Sequence, residues 1–169
     1  MHRMSILSTA VGALLAAGLS FTVPDGWRQS VASSPMRVAE FTLPRATGDA
    51  EDAQLIVYYF GGQGGSADAN IKRWVAQMQQ PDGKPIADAK RASRTVNGLT
   101  VTLVDVAGTY VAETSPGAAG HHDKPRFRLR AGVVDTPNGP YFIKLTGPEK
   151  TVTKWDHAYE QFVGSFRAK

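Results

Sequence analysis

Leu55-Ile56-Val57-Tyr58-Tyr59-Phe60 runs into Gly61-Gly62-Gln63-Gly64-Gly65 and then into Ser66-Ala67-Asp68-Ala69-Asn70-Ile71-Lys72-Arg73-Trp74-Val75-Ala76-Gln77-Met78. The six apolar residues are β-branched or aromatic apart from the leucine, and they read as a strand. Both faces of that strand are apolar, so both need cover, which places it inside a sheet with a layer on each side. Ile71, Trp74, Val75 and Met78 recur at the spacing of one helical face. Ser66 suits the N-cap, and Asp68 the positive end of the helix dipole. Strand, glycine turn and helix form the nucleus around which the other segments are placed.

Before this nucleus, Leu19 to Val23 alternates as a first strand, and Pro24-Asp25-Gly26 makes a tight turn ahead of Trp27. Arg37 to Leu43 alternates again, with Arg37, Ala39, Phe41 and Leu43 on one side and Val38, Glu40 and Thr42 on the other. These two runs are expected to pair antiparallel. After the nucleus, Asn97-Gly98 joins Lys90–Val96 to Leu99–Val106 as a hairpin, because a type I′ turn needs positive φ at both central residues. Gly108 marks a bulge or bend in the second strand. Glu113 to Lys124 is small, polar and glycine-rich, and reads as a mobile surface loop. Arg126 to Val134 and Tyr141 to Leu145 are strands around the turn at Asp135 to Pro140. From Pro148, residues Val152, Trp155, Tyr159, Phe162, Val163 and Phe166 keep a helical period over about five turns. Strands that arrive in hairpins, with one helix in the middle and one at the end, specify an α+β fold: a mostly antiparallel β-sheet sandwiched between helices.

The 169 residues, 42% hydrophobic and 20% charged, fit one folded domain. A formal charge of +4 without a clustered patch is no nucleic-acid signature. The absence of cysteine excludes disulfides, thiolate metal sites and a cysteine nucleophile. Arg3 precedes an uncharged apolar run from Ile6 to Leu19, and Ala16-Ala17-Gly18 offers small residues where a signal peptidase reads. Residues 1–18 are therefore expected to be a secretory signal peptide and residues 19–169 a single domain, exported to the periplasm or beyond. The alternatives are an uncleaved anchor or a first strand. The run is shorter than the roughly 20 residues of a bilayer span, so no integral span is expected once the leader is cut.

Four clusters carry candidate chemistry. The turn Gly61 to Ser66 sits between strand and helix, where backbone N–H groups can cradle an anion. It lacks the Gly-Lys-Ser/Thr of a phosphate loop and the sixth-position glycine of a dinucleotide fingerprint. A structural turn is the leading reading. A small-ligand or anion site using Gly64, Gly65, Ser66 and the neighbouring Trp74 is the alternative. Lys124, Arg126, Arg128 and Arg130 recur every second residue and would line one strand face, either as a partner-binding stripe or as the charged face of an edge strand. His121-His122-Asp123 has ligand chemistry, but adjacent histidines point apart, and His157 is the only other histidine outside the leader. A metal-dependent enzyme is the least favoured reading. Asp105, in an apolar strand on the same face as Leu103, needs a partner or a raised pKa. A structural acid is expected there. No nucleophile elbow and no His-Glu-x-x-His is present, so no catalytic residue, metal or cofactor is assigned.

Phe21-Thr22-Val23-Pro24-Asp25-Gly26-Trp27, Tyr141-Phe142-Ile143-Lys144-Leu145-Thr146-Gly147 and Phe162-Val163-Gly164-Ser165-Phe166 together resemble the PsbP-like family. The resemblance spans roughly the whole chain after the leader. The glycine cluster and its helix look more like an exported bacterial branch than the photosynthetic one. The resemblance implies an antiparallel sheet between helices and a non-enzymatic, partner-binding role. It names no partner and carries over no site residue. The expectation is an exported binding or accessory module that meets an envelope protein through the Glu113–Lys124 loop and the basic strand, and binds no nucleic acid.

Overall fold

The computed structural model describes residues 13–16 and 18–169. Its elements are β1 (Ala13–Ala16), β2 (Leu19–Thr22), β3 (Arg28–Ser30), β4 (Arg37–Leu43), β5 (Ala53–Tyr59), α1 (Ala67–Val75), β6 (Met78–Gln79), β7 (Lys90–Val96), β8 (Leu99–Tyr110), β9 (Lys124–Thr136), β10 (Gly139–Pro148), α2 (Glu149–Lys154), α3 (Asp156–Gly164) and β11 (Arg167–Ala168). An eight-stranded sheet runs β3-β4-β5-β10-β9-β8-β6, with β7 also paired to β8. Its ladders are antiparallel. Helices cover both faces, so the α+β sandwich read from the sequence is the observed architecture.

The two faces of β5 feed two cores. Leu55 and Val57 join Phe41, Leu43, Ile143 and Leu145 against α2, α3 and the chain just after it, through Val152, Tyr159, Phe162 and Phe166. On the other face, α1 sets Ile71 and Trp74 over Leu129, Ala131, Val133 and Phe142. Asn97 and Gly98 take φ of 47° and 82°, the mirror-image turn that the dipeptide demands. The Ser66 hydroxyl accepts from Ala69 N at 3.1 Å, which completes the N-cap.

Three expectations are corrected by tertiary pairing. Strand β2 does not pair with β4. It lies in a second, three-stranded sheet, β1-β2-β11, where Leu19 and Phe21 join the α3 aromatics. The exposed β3 takes the edge of β4 instead. Helix α1 ends at Val75, and Met78 reaches the core from β6, where it pairs with Tyr110. The Gln77 carbonyl accepts from Val111 N at 2.8 Å, so the chain leaves helical bonding for the sheet ladder. The last helix breaks at Trp155, whose φ and ψ are −100° and 11°. Its indole Nε1 donates to the Pro44 carbonyl at 2.9 Å, and its ring fills the space beside Gly26. That anchor turns the chain between α2 and α3. The Glu113–Lys124 loop lies at the surface, as expected, and is tied to itself. Thr114 N donates to the Gly120 carbonyl at 2.9 Å and His122 N to the Ala112 carbonyl at 2.8 Å, while Gly117 N donates to the Glu113 carboxylate at 2.7 Å.

Residues 1–12 and 17, most of the expected signal peptide, lie outside the described residues. Among the described residues, no helix is long and apolar enough to cross a membrane.

Candidate functional site

In the glycine turn, Gly61, Gly64, Gly65 and Ser66 are exposed, and Gly64 alone among these packs closely, against Phe142. Gly61, Gly62, Gly64 and Gly65 all have positive φ. The Gly64 carbonyl accepts from Asn70 Nδ2 at 2.8 Å, and Ser66 is occupied as the helix cap. Trp74 is buried edge-on against Phe142 with ring centroids 6.4 Å apart. A Cβ on Gly64 would stand 2.7 Å from the Phe142 ring at φ +117°. Gly64→Ala is therefore expected to cost about 2–3 kcal/mol, from left-handed strain together with overpacking. A urea midpoint unchanged from the parent would refute that packing role.

The basic stripe is not one surface. Strand β9 is internal, between β8 and β10, so it is not the edge strand weighed from the sequence. Between the pairs Gly108–Phe127 and Tyr110–Lys124, β9 carries one extra residue, and Arg126 there has φ 53°. One extra residue reverses the facing of everything beyond it. Lys124 consequently lies over the Phe127 ring at 5.4 Å and pairs with Glu51 at 2.8 Å, on the α1 face. Arg126 is exposed at the bulge. Arg128 and Arg130 point to the α3 face. Arg128 binds Asp105 through Nε and Nη2 at 2.9 and 2.7 Å and Asp156 at 2.9 Å. Arg130 bonds Asp156 at 3.0 Å and Glu160 at 2.6 Å, and Glu160 also holds Arg94 at 2.6 Å. Its guanidinium lies 4.1 Å from the Tyr159 ring centre. Burial alone would raise the Asp105 pKa, but the Arg128 hydrogen bonds and then the Arg128, Arg130 and Lys90 charges hold it below the usual range. Asp105 is thus an ionised structural acid.

His121 and His122 do not converge on a metal site. His121 Nδ1 lies 3.1 Å from the Val111 carbonyl, and the His122 ring stacks on Tyr110 at 5.3 Å. Among the described residues no cluster of three or more histidine or acidic side chains could hold a metal ion.

The loop that carries these histidines walls a cleft of about 700 Å³. Arg73 near the end of α1, Gln77 just after it, and Arg37, Ile56, Tyr58 and Lys144 of the sheet complete its lining. Helix α1 covers the sheet over Phe142 and stops short of Lys144, so this part of the face stays open. A second bulge builds the floor. Arg37 pairs with Tyr58 and Ala39 with Val57, so Val38 is the extra residue. Arg37 turns away from the Ala39 face, where simple alternation puts it, and lies 5.7 Å from the Tyr58 ring centre. Lys144 Nζ contacts Gln77 Oε1 at 2.5 Å and the Tyr110 hydroxyl at 3.4 Å. Burial lowers its pKa to about 8, with the Arg73 and Arg37 charges adding to the effect. Burial raises the Tyr58 and Tyr110 pKa values, so both hydroxyls stay protonated as donors.

The chain shares its fold with cyanobacterial PsbP. Over 98% of both chains, the solution structure of the Synechocystis sp. PCC 6803 protein matches with a TM-score of 0.54 at 14% identity. A Pseudomonas aeruginosa protein of unknown function matches over 86% of this chain and 88% of its own, with a TM-score of 0.47 at 18% identity. No family model matches the sequence. No curated protein matches it either.

Sequence reasoning passed over the cleft, although one signal was there. Lys144 is a lone charge in the apolar run Tyr141 to Leu145. A charge at the centre of a sheet is costly unless something meets it. Arg37 and Arg73 carried no such signal, because a bulge and a helix end bring them to the same place.

Proposed function

We propose that this chain is an exported accessory protein that acts by binding a protein partner and performs no chemistry of its own. The observation that carries the reading is the ion-pair network on β9. Arg128 and Arg130 are spent inside the fold, which leaves the Glu113–His122 loop and the cleft rim as the contact surface. Thr114, Ser115 and Pro116 are exposed on that loop. The chain enters Arg37, which lines the cleft, from Met36, which is 53% exposed, and Val31 of the same connection is 93% exposed. Large apolar side chains beside a polar rim suit a partner interface. The lack of cysteine and the use of Asp105, Asp156 and Glu160 in ion pairs support a non-enzymatic role. Export rests on the leader pattern. Cleavage after Gly18 would remove β1, the strand paired with β2.

The test is affinity capture from the native envelope, with N-terminal mass analysis of the bait. The recovered bait is expected to begin at Leu19. Ser115→Glu combined with Met36→Asp is expected to reduce the recovered partner at least about tenfold, the loss that follows when a hot-spot contact is replaced by a charge. Undiminished recovery would remove this surface from the proposal, and a bait beginning at Met1 would remove cleavage after Gly18.

A further inference from the structure

The cleft floor is rich in donors and cations and poor in acceptors. Arg37, Arg73 and Lys144 face it. Neither Arg73 nor Lys144 forms an ion pair among the described residues. Arg37 has one oxygen of Glu40 at 3.3 Å, and that oxygen also accepts from Ser33 N and Ser33 Oγ, each at 2.7 Å. Arg73 donates to the Asn70 side chain, a neutral acceptor. The acid on the cleft wall, Glu113, is turned into its own loop by Gly117 N. Three cations gathered in a half-buried hollow repel one another and raise the energy of the empty site. An entering anion relieves that repulsion. Ile56, Tyr58, Tyr110 and Pro116 give the same hollow apolar walls, and its volume is in the range of small-molecule sites, about 300–1,000 Å³.

We propose that the floor is a carboxylate-binding site in which Lys144, Arg37 and Arg73 receive the acid group and Ile56, Tyr58 and Tyr110 pack against the carbon body of the ligand. Guanidinium forks match a planar carboxylate bidentately. The tyrosine hydroxyls, held protonated, add donors. The carboxylate comes from a free organic acid or from the end of a peptide. The site goes beyond the partner-binding reading and stands whether or not the loop meets a protein.

The test is isothermal titration calorimetry on the intact chain. The probes are phenylacetate for the free acid, N-acetyl-alanyl-phenylalanine for the peptide end, and inorganic phosphate for unspecific charge. At least one carboxylate is expected to bind more tightly than phosphate, and which one does identifies the source. Lys144→Met is expected to weaken binding at least about tenfold, as loss of a charge-assisted contact does. It should still fold, because a lysine whose folded pKa is depressed opposes folding below that pKa. Arg73→Gln, exposed at the end of α1, is the second variant and should weaken binding several-fold. The charges facing Lys144 are Arg37 and Glu40 on β4 and Arg73 on α1. Tyr58 and Tyr110 face it from the sheet, and Glu113, His121 and His122 from the loop. Binding needs Lys144 protonated, so affinity should fall about tenfold from pH 7 to pH 9 as it loses its proton, and that step should be absent in Lys144→Met. The proposal is overturned by no heat from either carboxylate at millimolar concentration, by phosphate binding more tightly than both, or by unchanged affinity in Lys144→Met. None of these outcomes alters capture through the loop, so the two proposals fail separately.

Discussion

Phe162→Ala is expected to destabilise the fold by about 3–5 kcal/mol, the range for removing a fully buried aromatic ring. Phe162 has no exposed surface. Its ring centre lies 5.1 Å from Phe21, 5.1 Å from Trp27, 5.0 Å from Phe166 and 6.3 Å from Phe41. Those partners come from β2, the turn after it, the chain after α3, and β4. One ring therefore joins the small sheet, the large sheet and the terminal helix. Edge-to-face pairs add about 0.5–1.5 kcal/mol each beyond buried area, and the rigid neighbours cannot close the gap. Domains of this size have about 5–15 kcal/mol in total, so the variant should be partly unfolded at physiological temperature. Phe162→Leu should keep most of the stability, with a loss under about 2 kcal/mol. Urea unfolding followed by circular dichroism measures both. A loss below about 1 kcal/mol for the alanine variant would mean that the ring is not the joint described here.

Arg128→Met should cost about 2–4 kcal/mol, because it leaves Asp105 charged and half-buried without its two hydrogen bonds. The side chains of Arg128 and Asp105 are 15% and 25% exposed, so solvent screens the pair only in part. Replacing both, as Arg128→Met with Asp105→Leu, should recover most of the loss, since two packed apolar side chains need no counter-charge. The double-mutant cycle reads the coupling directly. Acid separates the same variants. Burial raises the Asp105 and Glu160 pKa values, but the arginine hydrogen bonds outweigh it and leave both depressed in the folded state. Their contribution is complete above the unfolded carboxylate pKa, near 4, and is lost as pH falls through the lower folded values. The parent should therefore lose stability more steeply below about pH 4 than the double variant does. Parallel acid curves, or additive single losses, would show that the network contributes nothing beyond its separate parts.

The segments were legible because their signals are local. The apolar run at Leu55, the cap at Ser66, the Asn97-Gly98 turn and the glycine at position 108 each state a backbone conformation through side-chain size, branching or freedom at positive φ. From these the α+β sandwich follows. Where the reading failed, a distant residue had the last word. Trp155 keeps the helical period perfectly well, yet its indole bonds the Pro44 carbonyl and the helix turns there. Met78 keeps the period of α1, yet Tyr110 claims its backbone for the sheet. Leu19 to Val23 alternates as a strand without stating which strand it will join.

The sequence by itself determined that this chain forms strands in hairpins with two helical layers, since period and turn chemistry are properties of neighbouring residues. Only the tertiary structure decided which charges meet. Single extra residues at Val38 and beside Arg126 turn Arg37 and Lys124 onto the α1 face, and pairing with α3 draws Arg128 and Arg130 into an ion network. A period of two holds along a strand only until its ladder slips by one. Where it slips depends on the partner strand, which no local stretch of sequence contains.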